Sequence, residues 1–291
     1  MLQDRRRVAF PLSFVAKAGF AWVLVSAFLI AVKWQSITTQ QFSDPDDVLR
    51  LIQVRDLLSG QNWFDVTQYR VDAPSGGVTM HWSRLVDIPL AIVILVLTPL
   101  FGSAAAETIA LIIVPLFTLA CVMLLASRLA WRLWGDEEAM LTALVIVISI
   151  PVLFQLSPMR IDHHGWQMVC ALAVLNGLFA RSARIGGWII GTGLAAWMSI
   201  SIEGLPLAAI VFAVLALRWL RDPKAREWLV SAMQSLAFMS AALFTLTRGF
   251  ADLVSYCDAI GPVHLAMFVW GAAVLTLLTR VKRPSLGIIL V

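Results

Sequence analysis

Long apolar runs constrain this chain more than any other feature, because about 20 uncharged residues in succession suffice to cross a bilayer as one helix. Such runs lie at 15–33, 105–127, 139–158, 166–181, 186–202, 204–220, 228–247 and 262–279. A further apolar stretch at 285–291 is cut by the chain end, so a C-terminal truncation is expected. In lipid, backbone groups must bond within their own segment. The expected fold is therefore all-α, a polytopic transmembrane helix bundle forming one domain over 1–291. Composition agrees: 60% of residues are hydrophobic and 14% charged, against roughly 25% charged in soluble domains. The net charge of +4 is spread over short loops, which excludes a nucleic-acid surface. Residues 1–7 are basic, but the next apolar stretch has no small-residue cleavage site. It reads as a retained first span rather than a signal peptide. Cys121 and Cys170 fall inside spans and Cys257 in a loop, which leaves neither a disulfide framework nor a CxxC site.

The stretch 86–102 is ambiguous: it is short, contains Pro89 and Pro99, and begins near Asp87. Cytoplasmic loops carry the Lys/Arg excess. If 86–102 does not span, one side collects Arg5, Arg6, Arg7, Arg128, Arg132, Arg181, Arg184, Arg218, Arg221, Lys224, Arg226, Arg280, Lys282 and Arg283. If it spans, most of that excess moves outside. The sequence therefore places 86–102 as an interfacial or re-entrant helix packed on the bundle, with the N-terminus cytoplasmic in a multi-pass inner or plasma membrane protein. The first outer loop then runs over 34–102. Acidic residues concentrate on the outer face, including Asp44, Asp46, Asp47, Asp56, Asp65, Asp72, Asp87, Asp162, Glu203, Asp252 and Asp258. Gly187 and Gly191 have the spacing of close helix packing.

Within the first outer loop, 43–60 reads as an amphipathic helix. Asp44 suits its N-cap and Pro45 its first residue. Val48, Leu51, Val54 and Leu58 recur at helical spacing, and Gly60 suits the stop. Asp44, Asp46 and Asp47 crowd its start. They serve the helix dipole, or bind a cation that relieves their repulsion. His81 is a candidate ligand, proton donor or phosphate contact, or an interfacial histidine. Arg70 and Arg84 could hold an anionic head group, or pair with Asp72 and Asp87. The second outer turn carries Asp162, His163 and His164, whose carboxylate and imidazole groups suit a divalent metal. Arg160 beside them could neutralise phosphate or pair with Asp162. Glu203, at a Gly204/Pro206 break, is a candidate third ligand or general base, or an ordinary helix-start acid.

This arrangement resembles the catalytic subunit of oligosaccharyltransferases, in the GT-C superfamily of polyprenyl-phosphosugar-dependent glycosyltransferases. Members start their first outer loop with an Asp at the head of an amphipathic helix. Their second outer turn carries Asp-x-Asp or Asp-His-His. Carried over, the first Asp falls on Asp46 or Asp44, and the second motif on Asp162 and His164. The resemblance implies a metal, Mn²⁺ or Mg²⁺, held by Asp46, Asp47, Asp162 and His164. It implies a polyprenyl-linked saccharide donor whose phosphate meets Arg160, Arg84 and His81 and whose tail lies among the spans and membrane lipid. Catalytic roles would fall on Asp46, Asp162 and Glu203. The family's later spans, later outer-loop Glu and C-terminal Trp-Trp-Asp-Tyr-Gly domain have no counterpart here, so no motif specifies the acceptor, protein or glycan.

Two other readings compete. A solute transporter would place ionisable groups at the span midpoints, whereas these sit at outer ends. A non-catalytic scaffold subunit would use the acidic loops structurally. A metalloprotease is disfavoured because HExxH is absent.

Overall fold

The computed structural model describes residues 11–249, 253 and 258–279. Arg5, Arg6, Arg7, Asp252, Cys257, Arg280, Lys282, Arg283 and the apolar end 285–291 lie outside the described residues. Twelve α-helices are present among the described residues, with one two-stranded sheet. Four segments are long and apolar enough to cross a membrane: Phe14–Val32, Ser103–Leu133, Ile202–Arg221 and Pro223–Thr247. The chain forms two compact units that meet in sequence at Val169/Cys170.

In the first unit, α1 (Leu12–Val32) leads into the short α2 (Trp34–Thr38). Helix α3 (Pro45–Leu58) starts at Asp44, whose side chain accepts from the Asp46 amide at 3.0 Å. Gly60 follows with φ +105°, a conformation that favours glycine. Strands β1 (Thr67–Gln68) and β2 (Val78–Thr79) pair antiparallel, Thr67 opposite Thr79. Helix α4 (Asp87–Phe101) joins α5 (Ser103–Leu133) through Gly102 alone, and the two pack as a hairpin. This is the stretch for which packing on a neighbouring span was expected. Its 15 residues rise about 22 Å, short of the ~30 Å hydrocarbon core. Leu51 and Val54 of α3, Leu90 and Ile94 of α4, and Leu111 and Val114 of α5 share one core with Ile161.

The span expected at 139–158 is divided. It forms α6 (Asp136–Ile148) and α7 (Ile150–Gln155), with extended backbone at Ser149. Pro151 has no N–H for the Val147 carbonyl, and a proline ring disfavours the helical ladder before it. Helix α8 (His164–Leu178) begins in the first unit and ends in the second.

The second unit contains α9 (Ala183–Ile200), α10 (Leu205–Arg221), α11 (Arg226–Thr247) and α12 (Pro262–Leu278). Helices α9 and α11 make the most extensive helix contact in the chain. Glycine makes this possible. A Cβ at Gly187 would stand 2.6 Å from Ser231 Cβ, and one at Gly191 2.3 Å from the Ala232 carbonyl oxygen. The Gly-x-x-x-Gly spacing is thus used for close approach of backbones.

Since the obstacle at Gly191 is backbone, Gly191→Leu should overpack the α9–α11 contact and cost about 1–3 kcal/mol or more. Gly19→Ala, with nothing within 4 Å of the added carbon, should be neutral or stabilising. Thermal unfolding of both variants in one detergent checks the contrast.

Candidate functional site

The site begins with a proline inside α5. Pro115 has no N–H, so the Leu111 carbonyl one turn earlier loses its intrahelical donor. That oxygen instead accepts from the Met159 amide at 2.9 Å. The turn carrying Asp162 is thereby anchored to the side of α5. Met159 takes φ +73°, an uncommon conformation for a non-glycine residue. Gly165 sits where a Cβ would stand 2.9 Å from Leu156 and 3.2 Å from Thr118, so the segment folds tightly against the helix. Arg160, Ile161, Asp162 and His163 are all buried.

Helix α3 meets this turn through its acidic start. Asp47, fully buried, accepts with Oδ1 from the amides of Ile161 at 2.8 Å and Asp162 at 3.0 Å. Its Oδ2 accepts from Arg160 Nη1 at 2.8 Å. The same Nη1 lies 3.1 Å from Asp44 Oδ2. Arg160 Nη2 donates to Asp162 and, at 2.6 Å, to Gln155 Oε1. One guanidinium therefore joins three carboxylates. Asp162 also accepts from the His164 amide at 3.0 Å, and His164 Nδ1 stands 3.1 Å from its Oδ2. The rings of His163 and His164 stack at 4.5 Å. Burial pushes the Asp47 carboxyl up to about 6, against the pull of Arg160, and the charge on Asp162 adds to the push. Burial acts on Asp162 in the same direction, but His164 and Arg160 outweigh it and hold that carboxyl below the usual range.

A second buried centre lies along the same face of α3. Asp87, at the start of α4, receives Arg50 Nη1 at 3.0 Å, Gln53 Nε2 at 2.7 Å and Arg84 Nη1 at 3.2 Å. Arg84 also donates to the carbonyls of Gln53, Trp63 and Asp65 and to Gln61. It thus gathers the loop after α3 around itself. The Arg50 guanidinium covers the Trp82 ring at 4.6 Å, and Trp82 stands 6.4 Å from His163. An aromatic bridge thus links the two centres.

The expected residues are distributed unevenly. Asp47, Asp162, His164 and Arg160 come together, with Asp44 as the added acid. Asp46 is at the second position of α3 and half-buried. His81 packs edge-on to Trp82 at 5.9 Å. Arg84 takes the second of its two expected readings: its guanidinium is fully buried and engaged by Asp87 and the carbonyls of Gln53, Trp63 and Asp65. Arg70 pairs with Asp56 at 2.8 Å, where Asp72 was the expected partner. Glu203 is exposed in the turn Ile202–Gly204 of the second unit. Arg50, Gln53, Pro115 and Met159 were not singled out in the sequence. The spacing Asp47–Arg50–Gln53, three residues apart, marks one helix face and could have revealed the polar ladder.

The donors suit a divalent cation in kind, being carboxylates beside imidazoles. As arranged, the Arg160 guanidinium lies among those oxygens, so a metal would compete with it. Among the described residues no three His, Cys, Asp or Glu side chains are grouped as a metal site. The cavity beside Arg160 and Asp162 measures only about 10 Å³. Access is through the solvent-facing edge, where the side chains of Asp44 and His164 are 36% and 38% exposed. Comparison of the chain with models of known protein families, with curated proteins and with solved structures finds no match.

Pro115→Ala would return a donor to Leu111 and loosen the turn. Hydrogen exchange of the Met159 amide should quicken on the order of fivefold, as expected for about 1 kcal/mol of lost bonding; unchanged exchange would refute the anchor. Asp87→Ala strands two buried arginines and should cost about 3–5 kcal/mol. Asp56→Ala, which breaks the exposed pair with Arg70, should cost under about 1 kcal/mol. Denaturant unfolding compares the two.

Proposed function

We propose that this chain is a membrane glycosyltransferase with a GT-C-like bundle. It would transfer a sugar or glycan from a polyprenyl phosphate or pyrophosphate to an acceptor on the extracytoplasmic face. Its N-terminus would lie in the cytoplasm, and the 34–102 loop and the Asp-His-His turn would lie on the opposite side. The observation that supports this most is the meeting of two acidic motifs about 115 residues apart, Asp44/Asp47 and Asp162 with its histidines. The resembled family needs those two motifs in one site.

In this reading, Asp46 or Asp47, Asp162 and His164 would hold a divalent cation. Bound there, the cation supplies Lewis-acid stabilisation of the leaving phosphate. Arg160, at the same junction, would donate a paired hydrogen bond to phosphate oxygens. The exposed edge formed by Asp44 and His164 is where a lipid-linked phosphate can arrive. His81, beside Trp82, is the further candidate contact. The acceptor oxygen or nitrogen attacks the anomeric carbon, the bond from that carbon to phosphate oxygen breaks, and the acceptor proton passes to a base.

The scaffold reading has one observation in its favour: Asp47 and Arg160 already satisfy each other and the turn. The two readings separate on Asp162→Ala. A transferase loses transfer while the variant still inserts into the membrane. Mass spectrometry of polyprenyl-linked saccharides would follow cells lacking the gene, rescued with wild type or with this variant. A lipid-linked saccharide should accumulate, and wild type alone should clear it. A pool unchanged in all strains would contradict the assignment.

A further inference from the structure

The second unit carries a site of opposite charge. A cavity of about 850 Å³ is lined by Arg184, Lys224, Arg226, Glu227, Ser231 and Gln234, with Thr279 on its wall. Its volume is in the range of about 300–1,000 Å³ usual for small-molecule sites. Three cations face one carboxylate. Their placement is unfavourable for the helices that carry them. Arg184 sits in the first turn of α9, and Arg226 is the first residue of α11. Lys224 precedes it in the turn Pro223–Ala225. Helix N-termini favour anions, not cations. Both helix starts are already capped by the chain: Ser182 accepts from the Ile185 amide at α9, and ahead of α11 the Asp222 side chain accepts from the Lys224 amide while the Arg226 amide bonds the Pro223 carbonyl. Arg226 Nη1 donates to the Thr279 carbonyl at 2.8 Å, which fixes one wall. The tight α9–α11 contact fixes another. Pro223–Thr247 is long and apolar enough to span, so this cavity lies at the bilayer-edge end of a spanning segment.

We infer that this cavity binds an anionic phosphate group, either the head group of an acidic phospholipid or a soluble phosphate. An anion here offsets three cations at once, and basic pockets between helices at a membrane edge take such head groups.

The test uses the purified full chain in detergent and follows its thermal midpoint. The probes are dihexanoyl-phosphatidylglycerol, dihexanoyl-phosphatidylcholine and inorganic phosphate. The phosphatidylglycerol probe should raise the midpoint and the zwitterionic probe should not. The triple variant Arg184→Gln, Lys224→Gln, Arg226→Gln should lose the rise with the phosphatidylglycerol probe, whatever its midpoint without probe after loss of the Arg226–Thr279 bond. Glu227→Gln should reach the half-maximal rise at a concentration on the order of fivefold lower, because the one repelling charge is gone. Inorganic phosphate acting at the same concentration as phosphatidylglycerol would identify a soluble ligand; a need for at least about tenfold more would identify a lipid. An equal rise with phosphatidylcholine, a rise that persists in the triple variant, or weaker binding in Glu227→Gln would each overturn the proposal.

Discussion

The carboxylate of Asp47 accepts from the amides of Ile161 and Asp162 and from the Arg160 guanidinium. The architecture of the first unit depends on this junction. A buried carboxylate is costly unless its lone pairs are met, and here the donors come from a turn far along the chain. The charge therefore selects one docking of α3 on that turn. An apolar contact of the same size would stabilise without fixing register so strictly. The nearby Leu51–Ile161 core contributes the non-directional part of the same docking.

Around this junction the polar face of α3 works as a ladder. Asp47 meets the turn, while Arg50 and Gln53 meet Asp87 at the head of α4. Burying a helix by its charged face requires partners from several elements, and each partner must itself be held. Leu111 holds Met159 because Pro115 has released its carbonyl. Arg84 holds the loop because its donors reach carbonyls of Gln53, Trp63 and Asp65. The candidate chemistry is positioned by these second contacts as much as by its own residues. The second unit relies on a different device, glycine-mediated backbone approach between α9 and α11, and its charge collects as cations around a cavity rather than as acids around an arginine.

Helices at most of the apolar runs were legible, since lipid leaves the backbone few alternatives, but of the eight spans expected only four described segments are long and apolar enough to cross a membrane. The start and stop of α3 were legible from Asp44, Pro45 and Gly60, which act locally. The resemblance brought the start of α3 and the Asp162 turn into one site but placed its first Asp on Asp46 or Asp44; the contact of Asp47 itself was not legible, because spacing along a chain carries no information about a contact across more than a hundred residues. Three features misled or escaped the sequence. The pairing of Arg84 with Asp87 was one of two open readings, while its carbonyl partners are backbone and leave no sequence mark. Pro151 divided an apolar stretch that hydropathy alone joins. Pro115 was not singled out, because its use as the anchor of the site depends on which carbonyl it frees.

The most direct test of the account is a double-mutant cycle on Asp47→Asn and Arg160→Met, read as unfolding free energies in one detergent. If the two side chains form the junction that joins α3 to the Asp-His-His turn, the cycle should show a coupling of about 1–3 kcal/mol. Effects that add to within about 0.5 kcal/mol would mean that the two side chains do not depend on one another, and the proposed organisation of the site would fail with them.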